Sequence, residues 1–568
     1  MMRKCLALSL SATLILAGCG STPLPTLNPA APAVIPTTAQ AAIKHVVVIF
    51  GENVSFDHYF GTYPNAANVN GTTFTAAAGT PTNISNYTTN PALLSANPNV
   101  NINNGAGSTN PFRLAPSQAG TGDQDHNYGP EQMAFDSGNM DLFPLSVGSP
   151  DSSTAVTLAS ATNAPAIANT TGLTMGYYDG NTVTAMWNYA QHFSMNDHSF
   201  GTTFGASTQG AINLVSGQTN GVAPGYPTGA ASGVIADTIG GGGGFTLIGD
   251  EDPAGDVCSS TTAYVQMTGK NIGDLMNAAS TPITWGFFEG GFDLGITNTN
   301  GTTGCVAGEG GNSRSTGAVN IPGHPLKADY IPHHEPFQYY VSTANPQHMR
   351  PTAAIGVTDQ ANHQYDTLDF NAALTAATPT MAQVSFLKAP GFQDGHAGYS
   401  DPLDEQTFVV NEINLIEASP FWANTAIIIA YDDSDGWYDH LSDLVNGSQT
   451  TADYAFCNVA PTLTGVTTAT PVQGRCGHGP RLPLLVISPW AKANFVDNTL
   501  TDQSSITHFI EDVFLGGTRI GGGSYDLSSG TLMNSFNFSN AAAPPNPTPL
   551  FLSPTTGAVC SPATAACK

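Results

Sequence analysis

The stretch IKHVVVIFGENVSFDHYFGTY, Ile43 to Tyr63, decides how this chain is read. Val46 to Phe50 is an apolar run rich in β-branched side chains that stops at Gly51, the pattern of a buried strand. Glu52 and Asn53 follow just past its carboxyl end, where open α/β sheets carry their ligand-binding loops. A carboxylate beside a carboxamide offers oxygen donors suited to a hard cation, and an Asx-type turn explains the same pair without one.

Further along, the pattern repeats. Ala426 to Ala430 reads as a second strand and ends in YDDSDGWYDH, Tyr431 to His440. Adjacent acids such as Asp432 and Asp433 repel each other unless a cation or a proton lies between them, or unless the turn is solvated. Pro282 to Phe288 and Leu482 to Ser488 read as further strands. Residues 182 to 193, with Val183, Met186, Trp187 and Ala190 at helical spacing, read as an amphipathic helix with a core face. Other helices are expected from Ser207, from near Leu403, and around Ile506, Phe509, Ile510 and Val513.

Ser207 sits in FGASTQGA just before an apolar run, Ile212 to Val215. A hydroxyl at a helix N-terminus meets free N–H groups and the positive end of the dipole, which favours phosphate; a simple N-cap serine gives the same pattern. His126 lies between acids in DQDHNY, His333 and His334 are adjacent, and His396 falls in the turn-rich QDGHAG. A paired-histidine loop binds a metal, binds an anion, or lies on the surface.

The formal charge is −27, with 14 Lys and Arg against 41 Asp and Glu. Nucleic-acid binding needs basic surface to neutralise phosphates, so that class is disfavoured. The neutral polar remainder suits an exported enzyme, and a cell-surface adhesin equally well. Met1 to Cys19 has a charged start, a short apolar run and Leu16-Ala17-Gly18-Cys19, which resembles a lipoprotein signal with Cys19 as the acylated residue and the sole membrane attachment. Residues 20–42 read as a Ser/Thr/Pro/Ala linker, 43–535 as one catalytic domain with long insertions, and 536–568 as a peripheral Pro/Thr-rich tail. Setting aside Cys5 and Cys19, six cysteines remain, and an even number without C-x-x-C spacing favours disulfides. The simplest pairing is by neighbourhood: Cys258 with Cys305, Cys457 with Cys476, Cys560 with Cys567. Gly240 to Gly244 lacks both phosphate-loop and dinucleotide spacing and reads as a flexible turn.

Six stretches in order, IKHVVVIFGENVSFDHYFGTYP, DQDHNY, GASTQGAINLVSG, QDGHAGYSDP, YDDSDGWYDH and GPRLPLLVISPWAK, resemble the bacterial phosphoesterase family of phospholipases C and secreted acid phosphatases, a branch of the alkaline-phosphatase superfamily. The resemblance covers roughly residues 42 to 515. It implies an α/β fold with a mostly parallel central sheet flanked by helices and carrying long loop insertions. It further implies one divalent metal ion held by Glu52, Asn53, Ser207, Asp432 and Asp433, with Ser207 as nucleophile. His126, His333, His334 and His396 would surround the phosphoryl group, His396 also taking part in catalysis. Two departures stand out: Ala206 replaces the family's usual proline, and Asp432-Asp433 stands where its phospholipases more often have Asp-Glu. The second tilts the comparison toward phosphomonoester hydrolysis over phospholipase C activity. Few Lys or Arg flank these motifs, so protonated histidines are expected to balance phosphoryl charge, with an acidic optimum as the consequence. A Ser-His-Asp esterase would need a G-x-S-x-G elbow, which the Ser207 stretch lacks.

Overall fold

The computed structural model describes residues 37–148, 165–226, 233–237, 244–296, 304–305, 327–443, 475–540 and 543–560. The chain divides into two units, Met1–Val34 and Ile35–Lys568. The first unit, with the signal and Cys19 readings, lies outside the described residues, as does most of the glycine run.

Eight strands form the central sheet: β1 (His45–Gly51), β2 (Ser194–Asn196), β3 (Trp285–Glu289), β4 (Gln364–Tyr365), β5 (Val384–Lys388), β6 (Thr425–Tyr431), β7 (Leu484–Ile487) and β8 (Phe495–Asp497). Their order is β4-β3-β5-β1-β6-β7-β2-β8. Every pairing is parallel except those of β7, which runs against β6 and β2. This is the expected mostly parallel α/β sheet. Helices cover it, so β5 and β6 are buried along their whole length and read as near-continuous apolar runs. Each Ile of Ile427–Ile429 is buried, and removal of such a side chain from water stabilises the fold by about 1.5–3 kcal/mol.

Four helices matter for the site: α1 (Thr184–His192), α2 (Ser207–Ser216), α3 (Pro402–Ala418) and α4 (Ser504–Phe514). α2 is buried on every side, which explains its small polar residues: they pack without needing solvent. Gly210 lets α2 press onto the end of β6, since a Cβ there would lie 2.2 Å from the Asp432 carbonyl oxygen. α4 packs against α2, the Thr507 hydroxyl donating to the Leu214 carbonyl.

Two expectations change. The linker ends early, because Thr37–Ala42 is already a short helix whose Gln40 side chain donates to the Asp512 carbonyl. The tail is not merely peripheral: Leu550 and Leu552 are buried against α3, the Leu550 N–H donating to Glu417 and the Asn414 amide to the Leu552 carbonyl. Cys258 pairs with Cys305. Cys476 and Cys560 are also disulfide-bonded, whereas Cys457 and Cys567 lie outside the described residues. No described helix is long and apolar enough to cross a membrane.

Candidate active site

β1 and β6 are parallel neighbours in the register Gly51 to Tyr431, so the residues that follow them, Glu52 and Asp432, leave the sheet side by side. Asn53 then takes a left-handed backbone (φ 59°), a conformation Asn tolerates better than most residues. Its N–H donates to Asp432 Oδ1 at 3.1 Å, and the Val54 N–H donates to the Asp433 carbonyl at 2.9 Å, tying the two loops together. From the other side, Gly205 (φ 118°) turns the chain into α2 and presents Ser207 in its first turn. Asp250 caps that turn, accepting from the Thr208 N–H and hydroxyl.

The three pieces meet. Ser207 Oγ lies 2.9 Å from Glu52 Oε2, 3.1 Å from Asp433 Oδ2 and 3.4 Å from Asn53 Oδ1. With its oxygen turned this way, Asn53 Oδ1 is 2.6 Å from Glu52 Oε2 and 3.3 Å from Asp432 Oδ1. In this orientation the amide oxygen faces only acceptors, an arrangement that a cation between them would relieve. Turned over, the Asn53 amide donates to both carboxylates instead, and its oxygen faces His396 Nε2 at 3.1 Å, a contact that needs a second proton on that ring; the neutral ring matches the first orientation, in which the amide nitrogen donates to Nε2. Two carboxylates of one loop, a third acid, an amide oxygen and a hydroxyl form a donor set that fits a hard or borderline divalent ion. All five expected ligands are therefore brought together.

His126 and His396 flank Asn53, their rings 5.8 Å apart. His126 Nδ1 donates to the Gln124 carbonyl (2.8 Å) and His396 Nδ1 to the Ala397 carbonyl (2.5 Å), so each ring directs Nε2 inward. His334 Nδ1 is 3.4 Å from Glu52 Oε1, whereas His333 turns toward Asp252 at 3.2 Å. Glu289, at the end of β3, fixes this pair by accepting the Ile331 N–H. Burial, followed by the Lys388 charge, holds His334 well below the ordinary histidine range, and burial pushes His396 down to about 4. Both shifts favour the neutral imidazole over the protonated form expected to balance phosphoryl charge.

Lys388, absent from the sequence reading, is the cation the site does hold. Fully buried at the end of β5, its ammonium contacts Glu52 Oε1 and lies 3.3 Å from Asp432 Oδ2. Burial opposes its charge, but Asp432 and Glu52 hold it above the usual lysine value. Burial pushes Glu52 and Asp433 up; it also acts on Asp432, where Lys388 and N–H donors from Asn53 and Asp433 win and hold it low. Glu131, to which the sequence reading gives no role, joins the site from behind. It accepts from the Gly205 N–H (2.8 Å) and the Ser434 hydroxyl (2.9 Å), and burial pushes it up to about 8.

Among the described residues, three clusters have the spacing to hold a metal through His, Cys, Asp or Glu: His126, His396 and Asp435; Asp57, Asp439 and His440; and Asp256, Cys258 and His348. The last is ruled out as a thiolate site by the Cys258–Cys305 disulfide.

A model of the Phosphoesterase family matches residues 43–515. The chain is 29% identical over 187 residues to a non-hemolytic phospholipase C of Pseudomonas aeruginosa, covering 30% of this chain and 25% of that protein. It is 32% identical over 145 residues to a non-hemolytic phospholipase C of Burkholderia pseudomallei, covering 24% and 19%. Phospholipase C B of Mycobacterium tuberculosis is 28% identical over 146 residues, covering 24% and 26%. Each alignment thus spans about a fifth to a quarter of the relative's length.

Proposed function

The chain belongs to the Phosphoesterase family, and from that premise we propose that it is a metal-dependent phosphoric ester hydrolase acting on phosphomonoesters through Ser207. The observation that carries this is the crowd of oxygen acceptors around the Ser207 hydroxyl. Glu52, Asn53, Asp432 and Asp433 would hold one divalent ion there. When bound, such an ion lowers the hydroxyl pKa and offsets phosphoryl charge.

The remaining work falls to the chain's own groups. Ser207 Oγ bonds to phosphorus as the ester bond breaks; that electron pair leaves with the departing oxygen, which takes up the proton the Ser207 hydroxyl gives up. In the second half, water bonds to phosphorus, the Oγ–P bond breaks, and the water's proton needs an acceptor. His396 suits this, since its Nδ1 proton is committed to Ala397 and its Nε2 is bare. His126, on the other side of Asn53, and His334 and His333 beyond Glu52 border the space for the phosphoryl oxygens.

A second reading, phospholipase C, is favoured by the relatives described above, which are phospholipases C. An exported location fits the disulfides, and Cys19 would be the point of lipid attachment. Side-by-side assay of p-nitrophenyl phosphate and phosphatidylcholine separates the readings: turnover of the first supports the phosphomonoesterase, and turnover of the second alone moves the assignment to phospholipase C. Failure on both in metal-loaded protein leaves a non-catalytic surface adhesin. Acid-quenched enzyme should carry phosphate on Ser207, and Ser207→Ala should carry none.

A further inference from the structure

β5, β1 and β6 are adjacent and parallel, so their ends deliver Lys388, Glu52 and Asp432 in a row. The ammonium does not enter the oxygen cage. It takes Glu52 by Oε1, while Ser207 meets Oε2, and it takes Asp432 by Oδ2, while Asn53 meets Oδ1. Lys388 is wholly buried with its stem against the sheet, and the Phe50 ring lies 5.1 Å from its nitrogen. A lysine in such a place cannot swing out to solvent, so its charge is a fixed part of the site.

Building on the proposed metal-dependent chemistry, we infer that Lys388 is an internal counter-ion that holds the rear oxygens of Glu52 and Asp432 and tunes the cage to divalent over trivalent cations. With a cation bound, three ionised carboxylates and one ammonium would leave two negative charges facing a neutral amide and a hydroxyl. A divalent ion balances that charge. Without the ammonium three negative charges would meet the ion, which suits a trivalent ion better, and the metal-free protein loses the buried contacts that Glu52 and Asp432 make with Lys388. Lys388 is thus a positioning residue that acts through the ligands, not one that touches substrate.

The test compares chelator-stripped wild type, Lys388→Met and Lys388→Arg by calorimetric titration with Mg2+, Mn2+, Zn2+ and Tb3+, together with melting curves with and without metal. Lys388→Met should bind the divalent ions about tenfold more tightly and Tb3+ more tightly still, and its metal-free form should melt below wild type. Lys388→Arg, which keeps the charge, should stay within about threefold of wild type. Divalent affinity that is unchanged or weaker in Lys388→Met overturns the inference. So does an equal gain for Tb3+ and the divalent ions. Wild type that binds none of these ions would instead sink the metal-dependent reading beneath it. Should Lys388→Met fail to fold, Lys388→Met/Asp432→Asn removes one charge of each sign. A metal-free melting point restored toward wild type supports the counter-ion role, and a variant that still fails to fold overturns it.

Discussion

The loops after β1 and β6 each supply acids to two buried clusters, and the two clusters are closed in different ways. Asp57 and Asp439, a few residues beyond Glu52 and Asp432, are met by the buried Arg481. Its Nε donates to Asp439 Oδ1 and its Nη2 to Asp57 Oδ1, both at 3.0 Å, while Nη1 donates to the carbonyls of Ser85 and Asp197. His440 and the Asp57 N–H complete the set, donating to Asp57 and Asp439 respectively. Although the Asp57, Asp439 and His440 atoms are close enough for a metal, the guanidinium already satisfies them. Among the described residues, the one lysine or arginine that meets the Ser207 cage is Lys388, placed at its back. One cluster staples the two loops together, and the other gathers oxygen donors around the Ser207 hydroxyl on the geometry thus fixed.

The sharpest way to break this contrast is to remove one residue from each cluster. Ser207→Ala should lower turnover of p-nitrophenyl phosphate by roughly a thousandfold or more while leaving the urea midpoint unchanged. Arg481→Met should do the reverse in kind: it strands two buried carboxylates and should cost about 3–5 kcal/mol of stability, read as a lower urea midpoint. Activity retained in Ser207→Ala removes the covalent mechanism. A midpoint for Arg481→Met equal to wild type means that the staple is not one. Chelation separates the clusters a second time, since EDTA should abolish turnover and leave the Arg481 cluster intact, so that the far-UV circular dichroism does not change.

α3 shows a third way to bury an acid, with no cation at all. Glu405 accepts from the hydroxyls of Tyr59 and Tyr431, Glu412 from the Asn371 amide and Glu417 from the Leu550 N–H. Burial pushes them up to about 7, 7 and 8, so the folded state favours their neutral forms. A folded-state value above the unfolded one means that the contribution is fully present below about pH 4.5 and is lost as pH rises through 7 to 8. Metal-free protein should therefore melt several degrees higher at pH 5 than at pH 8.5. Glu412→Gln/Glu417→Gln should flatten that slope, and a slope of opposite sign would put the carboxyls in their ionised forms.

The long inner strands were legible because a parallel strand covered on both sides shows as an apolar run, and the acids after β1 and β6 could be read as strand-end motifs. β5 escaped notice because Ser385 and Lys388 interrupt its pattern, and lysine is so seldom fully buried that its presence argues for a surface. The two- and three-residue strands β4, β2 and β8 carry too few side chains for any period to show. Histidine positions were legible but their burial was not, and burial decides the charge of His334 and His396. Nor does YDDSDGWYDH announce that its first acids face Ser207 and Lys388 and its last an arginine, since that division depends on Arg481, forty-odd residues later.

The smallest expected effect probes the link between the nucleophile turn and the acidic loop. Glu131 accepts two hydrogen bonds, one from the Gly205 N–H, which can only donate, and one from the Ser434 hydroxyl, which can also accept. Glu131→Gln can keep its oxygen on Gly205 and let its amide nitrogen donate to Ser434, so both contacts survive with one reversed. The loss should be about 1 kcal/mol in transition-state stabilisation, seen as a several-fold drop in kcat with KM little changed. Glu131→Ala leaves the buried Gly205 N–H unpaired and frees the turn that aims Ser207, so it should cost more than Gln in kcat. If Gln and Ala are equally mild, the Ser207 turn is held by α2 packing alone and the bridge through Glu131 is dispensable.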